Sequence, residues 1–236
     1  MFRLILTIHI ALTLEFALAQ NQKSDFKIYP VDESKADTSL VVFIENLKNI
    51  SLSKDTARLF KLFDKGIVSS YGGGLVGKKD FIFNWQLNKP DSTGLWKLLV
   101  KIIQLGGVFD TMDNKRVFQL PYADANKFFR LKKDTFFEPY STLVCIDKSV
   151  PVYAQPNENS SISKRLSYDI VTLDIEKTQQ ENNNNRSSDY WDYISTDYGR
   201  IKGWVKDKYF WCIAYPRLVI EKINNQWIIT SFAPFD

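Results

Sequence analysis

Apolar residues at helical spacing dominate the first half of the chain. From residue 40 to residue 50 they recur every three or four positions, which predicts an amphipathic helix. Similar spacing predicts further helices over residues 54–63 and 95–105, and two glycines stop the last one. We therefore expect residues 38–135 to be mainly helical.

The pattern changes near residue 136 to alternating apolar and polar positions with many β-branched residues, which predicts short strands. Their number and spacing over residues 140–214 are typical of a small β-barrel. Residues 215–236 then contain two apolar runs joined by Asn224-Asn225-Gln226, which predicts a hairpin. The expected fold class is α+β, with an N-terminal helical region, a small barrel and a C-terminal β-hairpin. A second interpretation makes the hairpin and the helical region one α+β unit into which the barrel is inserted.

Two segments of unusual composition interrupt these elements. Residues 176–189 contain two adjacent glutamines and four consecutive asparagines, a composition typical of a solvent-exposed loop. Residues 72–78 read GGGLVGK, which is close to a phosphate-binding loop, but Lys79 stands where that motif needs a serine or threonine. We interpret this run as a glycine-rich turn and expect no cofactor.

The N-terminal end of the chain has the features of a signal peptide over residues 1–19. Arg3 precedes an apolar run of about eleven residues, which is too short to span a membrane comfortably, and Ala17-Leu18-Ala19 gives the small residues of a cleavage site. We expect cleavage near Ala19, export to the periplasm or the medium, and no transmembrane segment in the mature chain. The polar residues 20–37 are expected to form a flexible leader.

Histidine and charge exclude several classes of function. His9 is the only histidine of the chain, and it lies inside the predicted signal peptide, so Ser-His-Asp and Cys-His mechanisms and histidine-ligated zinc sites are not expected. The 31 basic and 27 acidic residues give a net charge of +4, without the clustering that nucleic-acid binding requires. We expect no enzymatic activity, no metal and no nucleic-acid partner.

Cys145 and Cys212 are the two cysteines of the chain. They are too few for a zinc cluster and too far apart for a CxxC redox motif. In an exported chain they can form one disulfide, or they can stay as two buried free thiols that pack like small apolar side chains. The spacing alone leaves both possibilities open.

Three short strings in the barrel region occur in an order that is known from one family. VPVYAQP at residues 150–156 is followed by WDYI at 191–194 and by GRIKGWV at 199–205. In this order they resemble the bacterial SH3 (SH3b) family, and the resemblance covers about residues 142–212. The Asn-rich insertion and the pair Asp192-Tyr193 depart from the family pattern, which affects ligand contacts more than the fold.

The physical pattern within these strings agrees with the resemblance. We expect Gly203 to allow a close approach of two backbones where the barrel closes. Trp191, Ile194, Trp204 and Val205 are expected to point toward one common core.

The resemblance implies an SH3-like β-barrel with a ligand groove lined by aromatic and acidic side chains. The first and last strands of such a barrel lie near each other, which favours a disulfide between Cys145 and Cys212. The implied ligand is peptidoglycan or a peptide. The candidate ligand-binding residues are Tyr153, Tyr168, Trp191, Tyr193 and Tyr209.

The whole chain also resembles uncharacterised exported bacterial proteins that pair such a barrel with a preceding helical region and end in a hairpin like residues 227–236. This resemblance implies no activity. We therefore expect an exported, non-catalytic binding protein of the bacterial cell envelope, whose partner is peptidoglycan or a cell-envelope protein. Two alternatives stay open: an interaction or regulatory factor that acts through the helical region, and a cell-wall hydrolase.

Overall fold

The structure is a computed structural model that describes residues 27–70, 76–89, 93–130, 137–184, 190–196 and 199–233. These residues form an α+β fold with six α-helices and two β-sheets, and four of the six helices lie in the N-terminal half. The predicted signal peptide and its cleavage position lie outside the described residues. None of the described helices is long and apolar enough to cross a membrane.

The elements follow one another along the chain in this order. The helices are α1 (Thr38–Ser53), α2 (Thr56–Leu59), α3 (Lys78–Asn84), α4 (Leu95–Leu105), α5 (Asn126–Arg130) and α6 (Ile175–Asn184). The strands are β1 (Phe63–Val68), β2 (Val108–Met112), β3 (Lys115–Leu120), β4 (Thr142–Cys145), β5 (Val150–Tyr153), β6 (Ile162–Leu166), β7 (Ile170–Leu173), β8 (Trp191–Thr196), β9 (Ile201–Lys206), β10 (Phe210–Cys212), β11 (Arg217–Ile223) and β12 (Gln226–Ala233).

Asp37 is the N-cap residue of helix α1, and its side chain satisfies backbone donors of the first turn. The carboxylate of Asp37 accepts hydrogen bonds from the backbone N of Ser39 at 2.9 Å and of Leu40 at 3.3 Å. The ammonium group of Lys222 lies 2.9 Å from the same carboxylate and ties the hairpin to this helix end. The hydrogen bonds from Ser39 and from Lys222 lower the pKa of Asp37.

The hairpin of β11 and β12 lies in the middle of the five-stranded sheet, whose order is β1-β12-β11-β3-β2. Strand β12 pairs in parallel with β1, and β11 pairs antiparallel with β3. This strand order agrees with the second interpretation of the sequence, in which the hairpin and the N-terminal region form one unit. The region predicted as mainly helical also supplies β1, β2 and β3, and the helix predicted over residues 54–63 is reduced to α2, a short 3-10 turn and the start of β1.

The barrel region forms one seven-stranded sheet in the order β10-β4-β7-β8-β9-β5-β6, in which all neighbouring strands are antiparallel. Among the described strand pairs, none joins the two end strands β10 and β6. The sheet is therefore not closed, and the small closed barrel that was expected is not seen.

Two apolar cores stabilise these sheets. The larger core contains side chains of α1, α4 and the five-stranded sheet, and Val144, Trp211 and Ile213 from the seven-stranded region also belong to it. A smaller core on the seven-stranded sheet contains Val152, Ile194 and other apolar side chains. The shared residues of the larger core show that the two sheets pack against each other.

Residues 27–37 are held in place rather than forming the flexible leader that was expected. The ammonium group of Lys27 lies 2.9 Å from the carboxylate of Asp169 and donates to the carbonyl of Ser167 at 2.9 Å. Ile28 is buried in the larger core. This short segment therefore connects the N-terminal region to the turn before β7, and residues 20–26 lie outside the described ranges.

Candidate binding face

Four aromatic side chains lie on one face of the seven-stranded sheet. Tyr153 on β5 pairs with Trp204 on β9, which in turn pairs with Tyr193 on β8. Directly paired residues of antiparallel strands point to the same side, so these three form a row across the strands. Trp191 precedes Tyr193 by two positions and lies on the same side. We call Tyr153, Trp191, Tyr193 and Trp204 the aromatic face.

The rings of the aromatic face pack edge to face in two pairs. The centroids of Tyr153 and Trp191 are 5.5 Å apart with an interplanar angle of 82°. Those of Tyr193 and Trp204 are 5.0 Å apart at 62°. This geometry is favourable for aromatic rings and fixes their orientation without a bound ligand.

Two lysines lie over these rings. The ammonium group of Lys177 on α6 is 3.4 Å from the ring centroid of Tyr193 and 5.8 Å from that of Trp204. Lys206 on β9 places its ammonium group 5.5 Å from the centroid of Trp191 and 2.6 Å from the carboxylate of Glu158. These are cation–π contacts, and the charge of Lys206 is balanced by Glu158, so Lys177 supplies the positive charge beside the aromatic face.

Helix α6 positions Lys177, although residues 176–189 were predicted to be a solvent-exposed loop. The carboxylate of Asp174 accepts a hydrogen bond from the backbone N of Lys177 at 3.0 Å and so caps the helix. The hydroxyl of Thr178 accepts from the backbone N of Tyr193 at 2.8 Å, and the Asn182 side chain bonds both the N and the O of Trp191. These contacts with β8 explain why a polar, Asn-rich segment is helical here.

The exposure of the four rings differs. Trp191 and Trp204 are each only 6 % exposed, whereas Tyr153 and Tyr193 are half-buried. Trp191 was predicted to contact ligand directly, but in the structure it mainly supports Tyr153. The accessible part of the aromatic face is therefore formed by the two tyrosines, and the exposed Lys177 lies beside it.

The expectation of one common core for two tryptophans, Ile194 and Val205 is wrong. Ile194 and Val205 belong to the smaller core, on the side of the sheet opposite to the aromatic face. Gly203, in contrast, has the predicted role of close approach: a Cβ atom there would lie 2.6 Å from the carbonyl O of Tyr153 and 2.6 Å from a methyl group of Val152.

Tyr168 and Tyr209 do not join the aromatic face. The ring of Tyr168 packs edge to face on Tyr29 at 5.5 Å, and its carbonyl accepts a hydrogen bond from Ile28. Tyr209 lies in the 3-10 turn before β10 and packs on the smaller core. No ring contact among the described residues connects either tyrosine with the aromatic face.

Trp204 of the aromatic face and the two lysines over its rings, Lys177 and Lys206, were not predicted as contacts from the sequence. The alternation Trp204, Val205, Lys206 places the first and third residue on one side of β9, so two of them could have been found from the strand period. Lys177 carried no such signal because its helix was not expected.

The opposite side of β8 carries a buried carboxylate. Asp192 alternates with the aromatic residues and pairs with Val205, so it points toward the smaller core. Burial, together with the negative charge of Asp207, raises the pKa of Asp192 to about 7. Asp192, which departs from the family pattern, is half-buried in the structure.

Cys145 and Cys212 are both buried free thiols. Cys145 pairs with Phe210 and Cys212 with Leu143, so the two cysteines are diagonal neighbours on β4 and β10. Diagonal Cβ atoms are about 7 Å apart, whereas a disulfide needs about 3.8 Å. Each thiol donates to a different backbone carbonyl, Cys145 to Asp147 at 3.3 Å and Cys212 to Pro139 at 3.4 Å. The structure therefore corrects the disulfide that the resemblance implied.

The described residues contain no group of three or more His, Cys, Asp or Glu side chains placed to hold a metal ion. The chemistry of the aromatic face is that of recognition: apolar ring surfaces, tyrosine hydroxyls and two ammonium groups. In comparisons with protein-family models, with curated proteins and with solved structures, the chain has no match in any of the three.

Proposed function

We propose that this chain is an exported, non-catalytic binding protein of the bacterial cell envelope, in which the seven-stranded region is an SH3b-like module that binds peptidoglycan or a peptide. The observation that carries the proposal is the row of register-paired aromatic residues with Lys177 over the ring of Tyr193. The order of the strings VPVYAQP, WDYI and GRIKGWV supports the SH3b-like assignment.

The chemistry of the aromatic face fits such a ligand. Tyrosine rings offer flat apolar surfaces to sugar rings or peptide side chains, and they lose little conformational freedom on binding. The exposed ammonium group of Lys177 attracts carboxylates, which peptidoglycan and peptides both carry. The net charge of +4 adds a weak general attraction to an anionic polymer.

The test is retention of the purified chain by insoluble peptidoglycan, measured at several salt concentrations. Tyr193→Ala and Lys177→Ala are expected to weaken binding by about fivefold to tenfold each, since a ring or a cation at a contact typically contributes about 1 kcal/mol. Tyr190→Ala and Lys148→Ala are matched controls, because both residues are exposed and neither belongs to the aromatic face.

The same assay separates the alternatives. Retention that is unchanged in Tyr193→Ala and Lys177→Ala, or that falls equally in the control variants, would show that the aromatic face is not the binding surface. Release of soluble fragments from the polymer would instead support a cell-wall hydrolase. No retention of the unsubstituted chain by peptidoglycan or by envelope peptides would refute the proposed function.

A second candidate function, interaction through the helical region, is favoured by one observation. Phe83 on α3 is 81 % exposed, so the helical region presents an apolar ring on its surface. If this surface binds an envelope protein, Phe83→Ser abolishes cross-linking to that protein and leaves retention by peptidoglycan unchanged.

A further inference from the structure

The edge of β8 that faces β7 is covered by a strand over only part of its length. Strand β7 pairs with Ile194 and Ser195 and ends at Leu173. Beyond this point, the backbone groups of Trp191 and Tyr193 are bonded to helix α6 and to the residue before it. We call the backbone N–H and C=O groups of Trp191 and Tyr193 the β8 edge.

The contacts of α6 with the β8 edge imitate those of a neighbouring strand. The N–H of Tyr193 donates to the hydroxyl of Thr178 at 2.8 Å, and its carbonyl accepts from the N–H of Asp174 at 2.8 Å. The N–H of Trp191 donates to Oδ1 of Asn182 at 3.3 Å, and its carbonyl accepts from Nδ2 of the same side chain at 3.1 Å. Each of the two residues thus donates one hydrogen bond and accepts one, as it would opposite a residue of an antiparallel strand.

Helix α6 is held on β8 mainly by polar contacts. Among its described side chains only Thr178 is buried, and its one apolar residue, Ile175, is 40 % exposed. Lys177 adds the contact with the ring of Tyr193. Asparagine is a poor helix former, and an isolated helix of 10 residues is marginal in water, so α6 depends on these contacts. Segments that bury few apolar side chains open at a low cost in free energy.

We propose that the β8 edge binds a short extended peptide when α6 moves away, and that α6 occupies this site when the peptide is absent. Addition of an extended peptide to a sheet edge is a general mode of peptide recognition, in which main-chain hydrogen bonds supply the affinity. A peptide of about three residues can replace all the hydrogen bonds that α6 makes with the β8 edge, because alternate residues of a strand point their backbone groups to the same edge.

The position of the β8 edge beside the aromatic face gives the peptide a side-chain preference. Directly opposite residues of antiparallel strands point to the same side, so the peptide residues opposite Trp191 and Tyr193 lie on the side of the aromatic face. Movement of α6 withdraws Lys177 from the ring of Tyr193 and makes that ring available to the peptide. We therefore expect apolar side chains at alternate positions of the peptide.

The peptide site itself does not rest on the proposed function, but one consequence of it does. Because α6 carries Lys177, the exposed ammonium group beside the aromatic face leaves when α6 moves. Saturating peptide is therefore expected to weaken retention by peptidoglycan by about fivefold to tenfold, as Lys177→Ala does. By linkage, peptidoglycan should weaken binding of the peptide by the same factor.

The test of the site is an NMR titration of the purified full chain with the capped peptide acetyl-TVTVT-amide, whose valines stand at alternate positions. The matched control peptide has the same sequence with N-methyl groups on its three central residues, which removes backbone donors in either register and keeps the side chains. The control peptide is expected to bind at least about tenfold more weakly, because the lost hydrogen bonds are those that join it to the β8 edge.

Variants of α6 test whether the helix covers the site. Asn182→Ala removes both hydrogen bonds to Trp191 and is expected to tighten peptide binding by about tenfold, because a larger fraction of the chain is then open. Asn183→Ala is the matched control, since it replaces the same type of residue at the next, exposed position, and its effect is expected to stay within about twofold. Thr178→Val removes the acceptor for the N–H of Tyr193 and should act like Asn182→Ala. Circular dichroism checks that each variant is folded.

Hydrogen exchange shows where the peptide binds. The N–H groups of Trp191 and Tyr193 are expected to stay protected in the complex, because the peptide replaces α6 as their acceptor. The N–H of Thr178, which donates to the carbonyl of Asp174 at 3.0 Å, is expected to lose its protection when the helix opens.

Four results would overturn the proposal: no saturable binding of the peptide to Asn182→Ala, equal binding of the N-methylated peptide, equal effects of Asn182→Ala and Asn183→Ala, or full protection of α6 in the complex. The first of these would show that α6 is a permanent cover of the edge. A peptide that binds as expected and leaves retention by peptidoglycan unchanged would contradict only the role of Lys177 in the proposed function.

Discussion

Replacing Asp192 by asparagine should stabilise the protein at high pH and leave its stability at low pH almost unchanged. The carboxyl group of Asp192 is half-buried beside the smaller core, and Asp207 adds a second negative charge nearby. Its pKa is raised from 3.8 to about 7, so the folded chain holds this proton more tightly than the unfolded chain does. The contribution of Asp192 to folding stability is therefore greatest below about pH 4 and is lost as the pH rises through 7.

The size of the effect follows from the shift. A difference of about three pKa units corresponds to about 4 kcal/mol between the two protonation states. Because the side chain keeps some contact with solvent, we expect about half of this, or about 2 kcal/mol, at pH values above 7. For a chain of this length that corresponds to an increase of about 4–8 °C in the melting temperature of Asp192→Asn.

The measurement is urea unfolding, followed by tryptophan fluorescence, of the unsubstituted chain and Asp192→Asn at about pH 4 and about pH 8. Asp207→Asn serves as a control: it should give a smaller gain at high pH, because it removes only the second cause of the shift. Equal stability of Asp192→Asn and the unsubstituted chain at high pH would refute the reasoning, and so would a gain of the same size at both pH values.

Three further outcomes are expected. Gly203→Ala should lower the free energy of unfolding by about 2 kcal/mol, because its Cβ would overlap neighbouring atoms, while Gly94→Ala, which has open space, should have little effect in the same urea titration. Cys145 and Cys212 should react with a thiol reagent only after denaturation, and a reducing agent should not shift the unfolding midpoint; fewer than two titratable thiols would contradict the structure. Asp37→Ala should lower the melting temperature at neutral pH and have less effect in acid, where the native carboxylate becomes protonated; a loss independent of pH would contradict the capping role.

The helices and strands that could be predicted from the sequence are those whose pattern of apolar residues lies within one short segment. Helix α4 has the predicted bounds, residues 95–105, because its apolar face and the glycines that follow lie in one short window. Strand β5, residues 150–153, likewise covers the first four residues of the string VPVYAQP in the region where short strands were predicted. For such segments the spacing of apolar side chains is sufficient.

The elements that were missed depend on partners far along the chain. Strand β1 exists because it pairs with β12, which lies at the other end of the described chain. Helix α6 is polar and Asn-rich, and its hydrogen bonds with the backbone of Tyr193 and Trp191 could not be foreseen from its composition. In both cases tertiary contacts override the local preference.

For the candidate site, too, the residues with a local sequence signal were predicted and those that depend on tertiary contacts were not. Tyr153, Trp191 and Tyr193 were identified, because they belong to strands with clear alternation. Tyr168 and Tyr209 were grouped with them only through the resemblance, and the structure places them elsewhere. The register between paired strands decides which aromatic residues lie next to each other. This register could not be predicted from the single sequence.

The central position of the hairpin affects how the five-stranded sheet can form during synthesis of the chain. Strands β1, β2 and β3 are synthesised before the other described strands, whereas β11 and β12, which lie between β1 and β3, are synthesised after them. Until residues 217–233 emerge, the N-terminal strands present unpaired edges that are prone to wrong association. The seven-stranded region is contiguous in sequence and can pair as it appears. A chain that stops before residue 217 would lack β11 and β12. The earlier strands β1 and β3 would then lose the pairing that these two strands provide, so the N-terminal part of the sheet would be destabilised as well.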